Sequence, residues 1–237
     1  MRSLSHDELQ VPDARVESCC SAIRSVNMKH VRFVCFLVAA TSSGVCFADD
    51  AAKDHEGFVS LFNGRDFSSW VIMGDKKGWH IKDGRIHSDG DTGGFWLRSK
   101  KQYGNFIFKV DWKVSAGGNS GVYVRSAEKG NPWESGYEVQ ISNALRDDLH
   151  CTGSLYGHAA VNPRPDESAD KWHTFEVRCE GARITVTCDG VECVDFDQSK
   201  AAKSKNKPLE GYIGLQDAHA SKGHYIEYRN IRIKEFD

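Results

Sequence analysis

Hydrophobic and polar positions alternate along most of the chain beyond residue 56. In NFIFKVDWKV (105–114), Phe106, Phe108, Val110, Trp112 and Val114 fall on one side, and Ile107, Lys109, Asp111 and Lys113 on the other. A period of two with one apolar side is the pattern of a half-buried β-strand. Shorter runs of the same kind are FVSLF (58–62), GWHI (78–81), RIHS (85–88), GFWLRS (94–99), GVYVRS (121–126), GYEVQIS (136–142) and HTFEVRC (173–179). RITVTC (183–188), VECVDF (191–196), GYIGLQ (211–216) and YIEYRNIRIKEF (225–236) complete the series. No long apolar period of 3.6 residues follows the N-terminal region, so helix is expected to be scarce. Turn residues at Asn63-Gly64, Asp83-Gly84, Glu180-Gly181 and Asp189-Gly190 punctuate the runs. Strands at this rhythm predict an all-β jelly-roll or sandwich fold. Residues 143–171 hold Pro163, Pro165, glycines and several charges, and read as a long loop of the kind that often carries function.

The segment 173–196 permits a register. Two-residue turns at Glu180-Gly181 and Asp189-Gly190 predict a three-stranded meander. Phe175, Val177, Cys179, Ala182, Ile184, Val186, Cys188, Val191 and Cys193 then share one face, and Glu176, Arg178, Arg183, Thr185, Thr187 and Glu192 the other. Cys179 would lie opposite Ala182 and Cys193 opposite Val186, so no two cysteines meet in disulfide geometry. With Cys151, these residues are expected to be buried thiols acting as small hydrophobes. Their spacing has no CxxC pair, which argues against a structural zinc site. Phe196 breaks the alternation and suggests a bulge near Asp195.

The N-terminal part differs in character. Residues 1–27 are polar and without periodicity, and are expected to be disordered. From Met28, Lys29, His30 and Arg32 form a basic stretch, Phe33 to Ala40 an apolar run, and Cys46 and Ala48 the small residues of a cleavage site. That is the pattern of a secretory signal peptide over 28–48, which places the start of translation at Met28 and 1–27 as an upstream misassignment. The apolar run is too short and too broken for a stable membrane span, and Cys46 lacks the preceding aliphatic residue of a lipidation site. Residues 49–55 read as a short linker and 56–237 as one β-sandwich domain, exported to the periplasm or beyond. Net charge is −2, and the one basic cluster, KAAKSKNK (200–207), reads as a solvated loop. Nucleic acid is therefore not an expected partner.

Candidate chemistry gathers around two adjacent runs. In GYEVQIS, Tyr137, Val139 and Ile141 share a face, and Glu138 and Gln140 the opposite one. In GGNSGVYVRS (117–126), Val122 and Val124 share a face opposed to Gly121, Tyr123 and Arg125, with Asn119 and Ser120 polar at the entry. If the two strands are neighbours, Asn119, Tyr123, Arg125, Glu138 and Gln140 merge into one polar surface. Amides, a guanidinium and a tyrosine ring suit sugar hydroxyls and carbonyls. The competing reading is a solvated sheet face with an ordinary Arg–Glu pair. The following loop adds His150, Tyr156 and His158, and Trp172 reads as a sandwich edge or cleft wall beside His173. Motifs for nucleophilic serine, zinc peptidase, P-loop and dinucleotide chemistry are absent from the sequence. Asp147-Asp148 is a weak calcium signal.

The segments LFNGRDFSSWV, WHIKDGRI, YGNFIFKVDWKV, GGNSGVYVR, GYEVQI, TGSLYG, WHTFEVRCEGARITVTCDGVECVDF, IGLQD and YRNIRIKEF occur in order over 56–237. In that order they resemble the 3-keto-disaccharide hydrolase family, whose domain is also named 3-keto-glucoside 1,2-lyase/3-keto-2-hydroxy-glucal hydratase. The resemblance implies a concanavalin A-like jelly roll of two curved antiparallel sheets, with GGNSGVYVR and GYEVQI at a concave sugar-binding face. One departure is LQDAHAS (215–221), where relatives read LQDHG, so that His219 is displaced by one position. The chemistry implied is abstraction of the C2 proton of a 3-keto-glucoside, elimination at C1, and hydration of the resulting 2-hydroxy-glucal. The expected roles are Glu138 as base, Arg125 as enolate stabiliser, Tyr156 or His158 as acid, and Asn119, Ser120, Tyr123, Gln140 and Trp172 as substrate contacts. No cofactor is firmly implied and a divalent metal is left open; an upstream sugar 3-dehydrogenase is the expected source of substrate. Two alternatives stand beside this reading. One is a non-catalytic carbohydrate-binding module, since fold alone does not fix function. The other is a conventional glycosidase, which needs a second carboxylate where this strand has Gln140.

Overall fold

The computed structural model describes residues 53–90, 95–219 and 222–237. Residues 1–27 and the signal-peptide segment 28–48 lie outside the described residues, as does most of the linker 49–55. The alternating runs become thirteen strands among the described residues, arranged as two antiparallel sheets. The first contains β1 (Val59–Ser60), β3 (Trp79–Lys82), β4 (Arg85–Asp89), β6 (Phe106–Val114), β9 (His173–Glu180), β10 (Arg183–Cys188), β11 (Val191–Asp197) and β13 (Tyr225–Glu235). Its order is β11-β10-β9-β6-β13-β4-β3, with β1 also paired to β13. The second contains β2 (Trp70–Ile72), β5 (Trp96–Tyr103), β7 (Asn119–Ser126), β8 (Tyr137–Ser142) and β12 (Gly211–Gln216), in the order β2-β5-β12-β7-β8. A four-residue helix, α1 (Pro132–Ser135), joins β7 to β8. No helix among the described residues is long and apolar enough to cross a membrane.

The core lies between the sheets. Phe106, Phe108, Val110 and Trp112 of β6 are fully buried, while their neighbours Ile107, Lys109, Asp111 and Lys113 are only partly so. Val122, Val124, Tyr137, Val139 and Ile141 fill the core from the second sheet. A polar tie crosses it: Ser120 Oγ is 2.8 Å from the Tyr228 hydroxyl of β13 and donates to the Gln216 carbonyl at 2.9 Å. Burial of this kind, at about 25 cal/mol per Å² of apolar surface, is the main stabilising force.

Three sequence expectations shift. The meander β9-β10-β11 forms, but Cys179 pairs with Ile184 and Glu180 with Arg183, a slide of two residues from the expected register. A slide of two keeps every side chain on its face, so the buried set survives, except that Val191 at the turn is exposed and Ala182 is only partly buried. The bulge expected near Asp195 forms two residues earlier, at Cys193, between Val186↔Val194 and Thr187↔Glu192. Strand β2 had no alternation long enough to announce it. Cys151, Cys179, Cys188 and Cys193 are free and buried, and desolvation raises each thiol's pKa.

Candidate functional site

Strand β8 lies beside β7 with Tyr123 directly opposite Glu138 and Gly121 opposite Gln140. Alternation sends Val122, Val139 and Ile141 into the core and Gly121, Tyr123, Glu138 and Gln140 to the other face of the sheet. That face is not bare. Residues 153–156 of the long loop run along the free edge of β8: Gly153 donates to the Gln140 carbonyl, Gln140 to the Ser154 carbonyl, and Tyr156 to the Glu138 carbonyl, all at about 3 Å. The α1 helix sets the Trp133 ring over that of Tyr123, centroids 6.4 Å apart. The result is an open cavity of about 330 Å³ lined by Phe95, Asn119, Trp133, Glu138, Gln140, Arg146, Tyr156, Gln216, Asp217 and His219.

Two glycines shape its floor. A Cβ on Gly121 would stand 2.7 Å from Glu138 Oε1, so the missing side chain is what lets the carboxylate lie across β7. A Cβ on Gly214 would stand 2.4 Å from the Trp96 ring. The gap seats that indole, which meets Tyr123 edge-to-face at 5.6 Å.

Glu138 is only 8% exposed, and burial pushes its carboxyl up to about 7, against the opposing pull of the Arg146 guanidinium. Its neighbour Gln140 is buried and reaches Asn119 at 2.9 Å, while the Asn119 amide donates to the His219 carbonyl at 3.2 Å. Asp217 is buried and accepts the Phe95 amide N–H at 2.9 Å. Phe95 holds a left-handed φ of 63° at the start of β5 and meets Trp133 edge-to-face at 6.3 Å. Beneath them Tyr123 is fully buried. Burial with the nearby Glu138 raises its pKa well above the ordinary value. A buried carboxyl with a proton affinity near neutrality, an aromatic wall and several polar groups converging on one cavity make a site suited to proton transfer on a sugar-sized ligand.

The expected site is therefore divided. Asn119, Glu138, Gln140 and Tyr156 line the cavity, and Tyr123 lies beneath it. Arg125 does not join them. Its φ is +56°, and β7 carries an irregularity there: Tyr212↔Ser126 is followed by Gly214↔Tyr123, two residues of β7 facing one of β12. The extra residue breaks the alternation, and the guanidinium turns into the interior toward Gln198 Oε1 at 3.3 Å and the Gly104 carbonyl at 3.4 Å. His158 lies against the Tyr137 ring at 5.1 Å, on the core side of β8, with Ser204 Oγ 2.7 Å from its Nδ1. Burial and the nearby Lys207 and Lys203 lower its pKa to about 4. Ser120 ties the two sheets together inside the core. Trp172 immediately precedes β9 of the other sheet, and the Arg229 guanidinium stacks on it at 4.0 Å.

Arg146, Trp133, Gln216 and Asp217 reach the cavity without having been singled out. Arg146 sits in the long loop, eight positions after Glu138, and that loop's length was the only signal for it. His219, noted for its displacement, does line the cavity. Asp147 and Asp148 are drawn apart, the first to His150 at 2.7 Å and the second to Arg164 at 3.2 Å. Among the described residues no three His, Cys, Asp or Glu side chains gather as a metal would require.

The family model of the 3-keto-alpha-glucoside-1,2-lyase-like domain matches residues 57–234. A 3-keto-disaccharide hydrolase of Bacteroides thetaiotaomicron is 26% identical over 236 residues, covering 78% of this chain and 80% of that protein. A candidate glycosyl hydrolase from Parabacteroides distasonis superposes with a TM-score of 0.66 at 26% identity, covering 77% of this chain and 95% of that one. A Bacillus subtilis protein with a galectin-like fold has a TM-score of 0.51 at 14% identity, over 75% and 94% of the two chains, and speaks for the fold alone.

Proposed function

The chain belongs to the family of 3-keto-alpha-glucoside-1,2-lyase-like domains, and from that premise we propose that it is a carbohydrate-active enzyme that cleaves 3-keto-glucosides, with Glu138 as the base. The carbonyl at C3 acidifies the proton on C2 and leaves the glycosidic oxygen on C1 β to the ketone. Glu138 takes the C2 proton, and the electron pair becomes the enolate of C2 and C3. That enolate re-forms the ketone as it expels the C1 oxygen, which leaves with a proton as the free alcohol. Water then adds across C1=C2 of the 3-keto-2-hydroxy-glucal, giving 3-keto-glucose, so the two steps sum to hydrolysis.

The observation that carries this reading is the buried Glu138 carboxyl, with its pKa near 7, in the cavity. A base whose pKa lies near the working pH is present in its ionised form and still strong enough to accept a carbon-bound proton. Arg146, on the wall of the same cavity, takes the enolate-stabilising role that Arg125 cannot reach; positive charge where an oxyanion develops lowers the barrier. Tyr156 is the candidate acid for the leaving oxygen. Phe95 and Trp133 provide the apolar faces against which a sugar ring stacks. The export expected from residues 28–48 would place this chemistry outside the cytoplasm, downstream of a sugar 3-dehydrogenase.

A second reading gains from Asp217, the second carboxyl of the cavity. Glu138 and Asp217 as acid and nucleophile would make a conventional glycosidase acting on unoxidised sugars. An NMR time course with a 3-keto-glucoside in deuterated water separates the two. Elimination predicts aglycone release with a glucal intermediate or deuterium at C2, and a loss of about 10²–10⁴-fold for Glu138→Gln. Full turnover by Glu138→Gln removes it as the base, and turnover of plain glucosides without exchange at C2 supports the glycosidase.

A further inference from the structure

The side-chain amide of Gln140 lies in a conflict that the fold does not resolve by itself. One end is 2.9 Å from Asn119 Oδ1, and the other is 3.1 Å from Glu138 Oε1 and 3.2 Å from the Ser120 carbonyl. With Nε2 toward Asn119, Gln140 Oε1 faces the Ser120 carbonyl and the Glu138 carboxyl, acceptor against acceptor, and a proton on Glu138 relieves only the second contact. With the amide turned over, Nε2 donates to Glu138 Oε1 and to the Ser120 carbonyl. Its oxygen then faces Asn119, which must also turn to donate. Asn119 would thereby withdraw the N–H that it gives to the His219 carbonyl at 3.2 Å. Gln140 is 1% exposed, so its amide depends on protein groups for its hydrogen bonds.

Resting on the assignment of Glu138 as base, we propose that Gln140 is a positioning residue whose amide turns over as Glu138 loses and regains its proton. In the protonated state Glu138 donates to Gln140, Gln140 to Asn119, and Asn119 to the His219 carbonyl, while the Ser120 carbonyl, 3.2 Å away, receives nothing from Gln140. In the ionised state Gln140 donates to the carboxylate, Asn119 donates to Gln140, and the His219 link is given up. Gln140 thus holds the carboxyl in one orientation through both halves of proton transfer. It also passes the charge state of the base from β8 to the segment after β12.

The charged and titratable groups facing Glu138 are Arg146 and Tyr156 from the loop after β8, Tyr123 from β7, Tyr228 from β13, and Asp217 and His219 after β12. A hydrogen bond to a charged acceptor is about twice as strong as a neutral one. Removing Gln140 therefore removes more stabilisation from ionised Glu138 than from protonated Glu138.

The test is a pH titration of the full chain by NMR, following the Glu138 carboxyl carbon and the ¹⁵N of the Gln140 side-chain amide. The expected result is a shared midpoint, with the Gln140 signal becoming independent of pH in Glu138→Gln. The apolar variant Gln140→Leu should raise the Glu138 midpoint by about one pH unit, a tenfold change in its acid constant. In turnover it should move the acid limb of the kcat/KM profile by the same amount, a readout that loss of packing does not give. His219→Ala keeps the backbone carbonyl and should leave the shared midpoint in place. A Gln140 amide that is silent while Glu138 titrates overturns the proposal, and so does a Glu138 midpoint unmoved or lowered in Gln140→Leu. The wild-type titration decides the matter even if that variant does not fold. Undiminished turnover by Glu138→Gln would instead overturn the assignment of the base and leave the titration result standing.

Discussion

At the residue scale, the cavity works by making one carboxyl reluctant to ionise. Burial of Glu138 between β7 and the loop raises its pKa from 4.5 to about 7. Because the folded-state value lies above the unfolded one, Glu138 favours the fold fully below pH 4.5, and that contribution is lost as pH rises through about 7. The loss amounts to about 3 kcal/mol at pH 8. Glu138→Gln should therefore unfold at a higher temperature than wild type at pH 8 and at nearly the same temperature at pH 4, as differential scanning calorimetry would show. Activity should follow the opposite course. In wild type kcat/KM rises with pH and levels off above about 7 as the base becomes ionised. A profile flat across pH 5–8 would separate Glu138 from the proton transfer. The polar face of GYEVQIS made Glu138 visible in sequence, because alternation alone assigns its side. Its pKa was not visible, since that depends on Gly121 leaving room and on Tyr156 and its loop closing over the strand.

At the scale of elements, β7 and the long loop depart from regularity, and both departures matter. One extra residue in β7 sends Arg125 to the core, where it bridges Gln198 and Gly104. Gly211 and Gly136 lie so close to the Arg125 backbone that a Cβ on either would stand within about 3 Å of it. Arg125→Ala should destabilise the fold by about 3 kcal/mol through the cavity left behind and the lost hydrogen bonds. Its kcat/KM, measured well below the melting temperature, should stay within about threefold of wild type. A hundredfold loss of activity with unchanged stability would return Arg125 to the site. The bulge had no sequence signal: strict alternation through GVYVRS put Arg125 beside Tyr123, and a register irregularity depends on the partner strand. The loop 143–171 was legible as a loop from its prolines and charges. That its residues 153–156 lie along β8 follows from backbone donors and acceptors left open at the sheet edge.

At the scale of the molecule, the site draws on β7, α1, β8, the long loop, the start of β5 and the end of β12, segments more than a hundred residues apart in sequence. The sandwich holds them through its apolar core, and no disulfide contributes among the described residues. Cys151, Cys179, Cys188 and Cys193 should react with Ellman's reagent only once the domain unfolds, and a thiol reductant should leave the melting temperature unchanged. Fast labelling of the native protein at any of the four would mean that the core opens there on the timescale of the assay. The charge balance, with net charge −2, leaves recognition to the cavity itself, not to a long-range field.

Period-two alternation determined the sandwich, the faces of most strands and the place of Glu138, Gln140 and Asn119, because a sheet side chain's direction follows from parity once one face is buried. The ordered motifs pointed to the family for the same reason: they are the strands and turns of that architecture. Parity already puts Ser120 on the core face with Val122 and Val124, but tertiary structure alone decided that Arg125, His158 and Trp172 leave the site and that Arg146, Trp133 and Asp217 enter it. Those outcomes rest on a bulge, on the sheet to which a segment belongs, and on the path of a loop. Each is fixed by hydrogen-bonding partners distant in the chain, and local periodicity carries no information about them.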